Sequence, residues 1–155
     1  MSDTDFMERA VEMSLKGMRG GHGGPFGAVI VRAGQIIAEA HNEVLSSHDP
    51  TAHAEVLAIR RATAALGHHH LGDCVIYTSC EPCPMCLGAI YWSRLQRIYF
   101  GNTRADAAAI GFDDQHFYDE LARGLPERRV TMIPLGRELA LAAFTEFRTR
   151  QGQIY

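Results

Sequence analysis

The sequence predicts an α/β fold: a mixed sheet of about five strands covered by helices on both faces. Three observations carry that expectation. Two apolar, β-branched segments sit close together and are joined by Ala33-Gly34, the pattern of a hairpin. From residue 51 onward, short strand-like runs alternate with segments of helical periodicity, and strands separated by helices build sheets with helices on their faces. With 46% hydrophobic and 21% charged residues over 155 positions, the chain can fill one core and is expected to form a single domain.

The elements follow in order. Between residues 3 and 19, Phe6, Ala10, Val11, Ser14, Leu15 and Met18 recur at three- and four-residue spacing behind Ser2 and Asp3, which predicts an amphipathic helix. Gly20 to Pro25 stops it. Phe26 to Val31 and Gln35 to Ala40 are the hairpin strands. Thr51 is placed to cap a helix that runs to about Leu66, with Gly67 as its stop. Cys74 to Thr78 reads as a buried strand, Pro84 to Trp92 as a helix with Pro in its first turn, and Arg97 to Phe100 as another strand. Asp113 to Arg123 and Arg137 to Arg148 are helical by pattern, and Val130 to Ile133 supplies the fifth strand.

Composition excludes several classes of function. Fifteen Lys and Arg against 18 Asp and Glu give a net charge of -3, so no net basic field draws the chain to nucleic acid. The longest apolar runs, such as Phe26 to Val31, are far shorter than the ~18 residues of a membrane helix. Met1 to Arg9 is too acidic for a signal peptide. The expectation is a cytoplasmic protein with neither nucleic-acid nor membrane partners. Of the four cysteines, Cys80, Cys83 and Cys86 fall within seven residues around prolines, too close to staple a fold, and in a reducing compartment such a cluster points to metal or redox chemistry.

The chemistry gathers at two helix starts. His53-Ala54-Glu55 opens one and Pro82-Cys83-Pro84-Met85-Cys86 the other. Cys83 and Cys86 share a helix face at a positive dipole end, which favours thiolates. His53 with Cys83 and Cys86 makes three N/S ligands, the number that leaves the fourth tetrahedral position of a catalytic Zn²⁺ to water. Two thiolates and a neutral imidazole cancel the zinc charge and acidify that water only moderately, so a general base is needed, and Glu55 stands two residues past the first ligand. Residues two apart diverge by about 200° on a helix, so His53 must sit at or before the first turn.

These residues carry a resemblance. His-x-Glu followed by Pro-Cys-x-x-Cys resembles the cytidine deaminase superfamily. Within it, Gly23 to Val31, Asp49 to Glu55, Thr78 to Trp92 and Gly111 to Asp114 are similar to the bacterial guanine deaminase family. The resemblance implies a cytidine deaminase-like, three-layer α/β/α fold, one Zn²⁺ per chain, and hydrolysis of guanine to xanthine and ammonia. It also implies proton transfer by Glu55 and Asp114, a base pocket lined by Phe26, Asn42 and Tyr155 with Asp114 at the substrate, and homodimers that exchange C-terminal segments. A small flat base reacts best shielded from water, so residues 151–155, ending in Ile154 and Tyr155, are expected to form a lid.

Other readings stand beside this one. A tRNA adenosine deaminase would share motif and fold but needs a basic surface, and a structural zinc-binding interaction module would need no Glu beside its ligands. Cys80 can replace a ligand, although an inert buried thiol suits both it and Cys74. Taken without the resemblance, Asp114 reads as a helix cap or first-turn carboxylate, because Asp113 and Asp114 precede a helical pattern. His68, His69 and His70 lie in a turn between Gly67 and Gly72 and are assigned no function.

Overall fold

Serine at position 2 starts the chain's first helix in the computed structural model, which describes every residue from Met1 to Tyr155. The Ser2 hydroxyl accepts the Asp5 N–H at 3.3 Å and the Ser2 N–H donates to the Asp5 carboxylate at 2.6 Å, a reciprocal cap that satisfies donors with no helical partner. Helix α1 then spans Asp3–Arg19 and turns Phe6, Ala10, Met13, Ser14 and Gly17 inward.

Strands β1 (Gly27–Arg32) and β2 (Gln35–His41) form the antiparallel hairpin. Its two turn residues, Ala33 and Gly34, both have positive φ, 48° and 77°, the backbone whose twist matches that of the flanking strands. Strand β3 (Cys74–Cys80) pairs antiparallel with β1, and β4 (Arg97–Asn102) pairs parallel with β3. The sheet order is β2-β1-β3-β4.

Period-two alternation on these strands makes two cores. Ala28 and Ile30 of β1 and Cys74 and Ile76 of β3 pack with Ala54, Ala58 and Ala62 of α3 (Ala54–Leu66) and Ile90 of α4 (Pro84–Trp92). Val29 and Val31 of β1 and Tyr77 of β3 pack on the other face with Phe6 and Ala10 of α1. That is the expected α/β/α layering. Helix α1 crosses β1 so closely that a Cβ on Gly27 would collide with the Ala10 carbonyl oxygen and stand 2.5 Å from the Ser14 nitrogen, so only glycine fits at the start of β1.

The remaining helices are α2 (Val44–Ser47), α5 (Arg104–Ala109), α6 (Gln115–Ala122) and α7 (Arg137–Thr149), with a single 3₁₀ turn at Leu125–Glu127. The chain falls into two compact units, Met1–Gln115 and His116–Tyr155. The first holds the whole sheet. No helix is long and apolar enough to cross a membrane.

Two local expectations need correction. The sheet has four strands rather than five, because Val130 to Ile133 joins no ladder. Its alternation suits a strand, but a strand forms only beside a hydrogen-bonding edge, and Val130 and Ile133 remain 77% and 78% exposed. Thr51 does not cap α3. Its hydroxyl donates to Asp49 Oδ1 at 2.7 Å while its N–H donates to the same oxygen at 2.8 Å, an Asx turn that uses up the side chain before the helix begins. The stop at Gly67, with φ 73°, is as expected.

Candidate active site

Both helix starts that carry the chemistry give up their capping position to it. The N-cap of α3 is His53, extended at φ -72° and ψ 153°, and that of α4 is Cys83, extended at φ -69° and ψ 168°; neither side chain caps its helix. These positions ordinarily hold Ser, Thr, Asp or Asn, whose side chains bind the first helical N–H groups. Here imidazole and thiol are instead free to reach each other. Because His53 lies outside the helix, the 200° divergence does not apply, and Glu55 in the first turn of α3 joins it at one site.

His53 Nδ1 lies 3.6 Å from Cys83 Sγ and 3.4 Å from Cys86 Sγ, and the three donor atoms all fall within 4.8 Å of one another. A tetrahedral zinc with Zn–S about 2.3 Å and Zn–N about 2.0–2.1 Å would hold its nitrogen and sulfur ligands about 3.6 Å apart. The donor set and its spacing therefore fit that ion. Cys74 and Cys80 are buried free thiols outside the group. Burial pushes both up to about 11, which keeps them protonated and inert.

Protonation of the three groups in the metal-free chain follows from their contacts. Hydrogen bonds from Cys86 and then His53 hold the Cys83 thiol down at about 4, against the cost of its burial. Cys86 moves the opposite way, raised by its bond to Cys83 and by burial, and His53 is raised by its bond to Cys83. One thiolate thus serves as acceptor for its neighbours' protons. A dication at the centre of the three would replace those protons.

Glu55 is buried, 6% exposed. Its Oε2 is 3.4 Å from Cys86 Sγ and its Oε1 is 3.4 Å from the Thr78 hydroxyl, which itself donates to the Cys80 carbonyl at 3.0 Å. Burial raises the Glu55 carboxyl above its ordinary value, a condition that lets a carboxylate take up and hold a proton near neutral pH.

The candidate substrate residues separate into three groups. Phe26 packs edge-on against Phe112, ring centroids 5.0 Å apart at 89°. Asn42 is 5% exposed, and its Oδ1 accepts the Val44 N–H at 3.0 Å, so the amide NH₂ is the end left to donate. A Cβ on Gly23 would collide with Asn42 Oδ1, which ties the glycine-rich turn to the placement of this amide. Asp114 lines an open groove of about 490 Å³ with Glu81, Thr103, Arg104 and Asp113, and its carboxyl is raised chiefly by burial. Helix α6 takes its side-chain bond from Asp113 instead, whose Oδ1 accepts the Gln115 N–H at 2.9 Å. Tyr155 belongs to the second unit, where it is 69% exposed.

Sequence reasoning did not single out Thr78, Phe112 or Arg104. The α5 start was detectable, because Thr103-x-x-Asp106 is a capping-box pattern and the structure forms it. A lone Phe and a lone Thr carry no comparable signal.

Guanine deaminase of Bacillus subtilis is 49% identical over 96% of this chain and 95% of its own length, and its X-ray structure superimposes with a TM-score of 0.93 at 48% identity, with the same shares covered. A protein crystallised in complex with 2,6-diaminopurine is 32% identical over 97% of this chain and 83% of its own, with a TM-score of 0.68. The tRNA-specific adenosine deaminase of B. subtilis is 41% identical, but over only 64% of this chain and 61% of its own. Residues 1–102 match the family described as the cytidine and deoxycytidylate deaminase zinc-binding region, and the chain belongs to that family.

Proposed function

We propose that this chain is a zinc-dependent guanine deaminase that hydrolyses guanine to xanthine and ammonia. The observation that carries the deaminase reading is the clustering of His53 Nδ1, Cys83 Sγ and Cys86 Sγ, at distances a tetrahedral zinc accepts, beside a buried carboxyl, Glu55. A structural zinc module needs no such carboxyl. Guanine as the substrate is supported by near-full-length identity to a guanine deaminase, where the tRNA deaminase matches less than two thirds of either chain. The net charge of -3 also disfavours tRNA.

In this mechanism His53, Cys83 and Cys86 would hold the zinc. When bound, the ion supplies a Lewis acid that activates water for attack on the amino-bearing carbon of the ring. Glu55 accepts the water proton and returns it to the ring nitrogen or the leaving amine, and its burial keeps bulk water from competing. Phe26 offers an aromatic surface to the flat base. Asn42 donates to a polar edge through its amide, and Asp114, raised by burial, is the second proton carrier. Two carboxylates divide the work because both protons of the attacking water are moved, one to a ring nitrogen and one to the amine that leaves as ammonia.

The discriminating experiment is an ammonia-release screen of the zinc-loaded protein against guanine, cytosine, cytidine and tRNA. Guanine should be deaminated fastest. Faster release from cytidine or from tRNA adenosine would move the protein to another branch of the family.

The same reading treats residues 1–155 as one functional domain with 151–155 as a lid, placed across a homodimer by exchanged C-terminal segments. Exposed Val130, Ile133, Leu135, Leu139, Phe144 and Ile154 in the second unit support it, since so much apolar surface is stable in water only when covered. Deleting residues 151–155 should leave zinc content and melting temperature near wild type while guanine turnover falls sharply. Mixing truncated chains with Glu55→Gln chains should recover activity if Tyr155 acts across subunits. Unchanged kinetics after truncation would remove the lid.

A further inference from the structure

Arg104 is the first residue of α5 and connects three pieces of the site. Its backbone N–H donates to Glu81 Oε2 at 3.1 Å, while the Glu81 N–H donates to the Asn102 carbonyl at 2.8 Å, so the start of α5 is fastened to the loop that delivers Cys83. Its guanidinium meets the segment that follows the helix. Nε lies 3.5 Å from Asp114 Oδ1 and Nη2 donates to Gln115 Oε1 at 2.5 Å. Between them the chain turns tightly, with Gly111 at φ 99° and the Phe112 N–H donating to the Ala107 carbonyl at 2.9 Å. Phe112, which packs on Phe26, and Asp114 therefore ride on one short segment, and Arg104 spans it.

Asp114 sits on a loop rather than in a helix or strand, where its own backbone N–H and Arg104 both act on the carboxylate. The side chains of Arg104 and Asp114 are 30% and 18% exposed, a setting in which a cation at this distance is screened less than at an open surface. The other charged groups near Asp114 are acidic: Asp113 on its own loop and Glu81 across the groove, with the Cys83 thiol at the start of α4. Burial, Cys83 and Asp113 oppose ionisation of Asp114, while Arg104 and its own backbone N–H favour it.

We propose that Arg104 is a positioning residue for Asp114, holding its carboxylate in place to take up a proton and pass it on to the base. This rests on the assignment of Asp114 as second proton carrier in guanine deamination. Arg104 touches no reacting atom in this account. It acts through Asp114.

The test uses the zinc-loaded protein, wild type against R104Q and R104K. R104Q should lower kcat on guanine about 10- to 100-fold, as expected when a catalytic group is misplaced, with KM changed less than about threefold. The acid limb of kcat/KM should move to higher pH, because losing the guanidinium removes a cation that lowers the carboxyl's pKa. A ¹³C carboxyl titration, with Asp114 assigned by its loss in D114N, should show the same upward shift without any substrate. R104K should recover part of both. In a D114N background R104Q should add less than about a twofold loss, since the two act as a unit.

A chain that turns over guanine normally as R104Q, with the Asp114 titration unmoved, overturns the proposal. So does a double variant that loses the product of the two single effects. If R104Q fails to fold, R104K decides: a kcat loss that vanishes in D114N supports the coupling, and an additive loss refutes it. If the wild-type protein turns over no guanine, the substrate assignment falls, and the carboxyl titration still decides whether Arg104 controls Asp114.

Discussion

Glu55→Gln is expected to keep zinc and fold while losing at least ~10² to 10⁴ in guanine turnover, the range supplied by a positioned acid/base. The carboxamide retains size and hydrogen-bonding capacity but cannot shuttle a proton. Glu55 is 6% exposed and 3.4 Å from Cys86 Sγ, so no other carboxyl can move into its place without repacking the first turn of α3. Stability should shift oppositely. Burial raises the Glu55 pKa in the metal-free fold, so keeping the ionised form buried costs stability, a cost that sets in as pH rises above the unfolded value and is absent below it. Gln removes that cost. Near neutral pH the metal-free variant should melt no lower than metal-free wild type, and the difference should close as pH falls below about 4. Near-normal turnover by Glu55→Gln would refute the mechanism.

Removal of either thiol should have the second largest effect. Cys83→Ala and Cys86→Ala should each lose most of the bound zinc and, with it, all measurable guanine turnover, because two ligands hold the ion far less tightly than three. The two should differ when metal-free. Cys83→Ala removes the thiolate held down at about 4 that accepts from His53 and Cys86, so the His53 pKa should fall, since its bond to Cys83 is the first cause of its rise. Cys86→Ala leaves that bond at 3.6 Å in place. Elemental analysis with an imidazole titration by NMR reads both. A full equivalent of zinc in both variants would show that the ligands were wrongly identified.

The parts of the fold that were legible in the sequence are those set by local rules. Helix α4 begins at Pro84 and ends at Trp92 as expected, because Pro at the first turn fixes its start. Ala33-Gly34 marked the hairpin, and Gly67 marked the end of α3. Expectation failed where a neighbour decides the outcome. Thr51 has the chemistry of a cap, but Asp49 claims its hydroxyl. Val130 to Ile133 has a strand's alternation and no edge to pair with.

The site divides along the same line. That His53, Glu55, Cys83 and Cys86 form one cluster was readable from residue type and spacing, and the extended backbone of His53 and Cys83 brings them together. Phe112, Thr78 and Arg104 were not readable, since their contacts with Phe26, Glu55 and Asp114 exist only in the folded chain. For Asp114 the residues alone favoured a cap. The structure gives that bond to Asp113 and places Asp114 in the groove.

The most direct test of the central claim is to titrate zinc into the metal-free protein while following conversion of guanine to xanthine. The account predicts that activity is absent without metal, rises in proportion to bound zinc and stops at one equivalent per chain. Full activity without zinc, or a full equivalent of zinc with no xanthine formed, would contradict it.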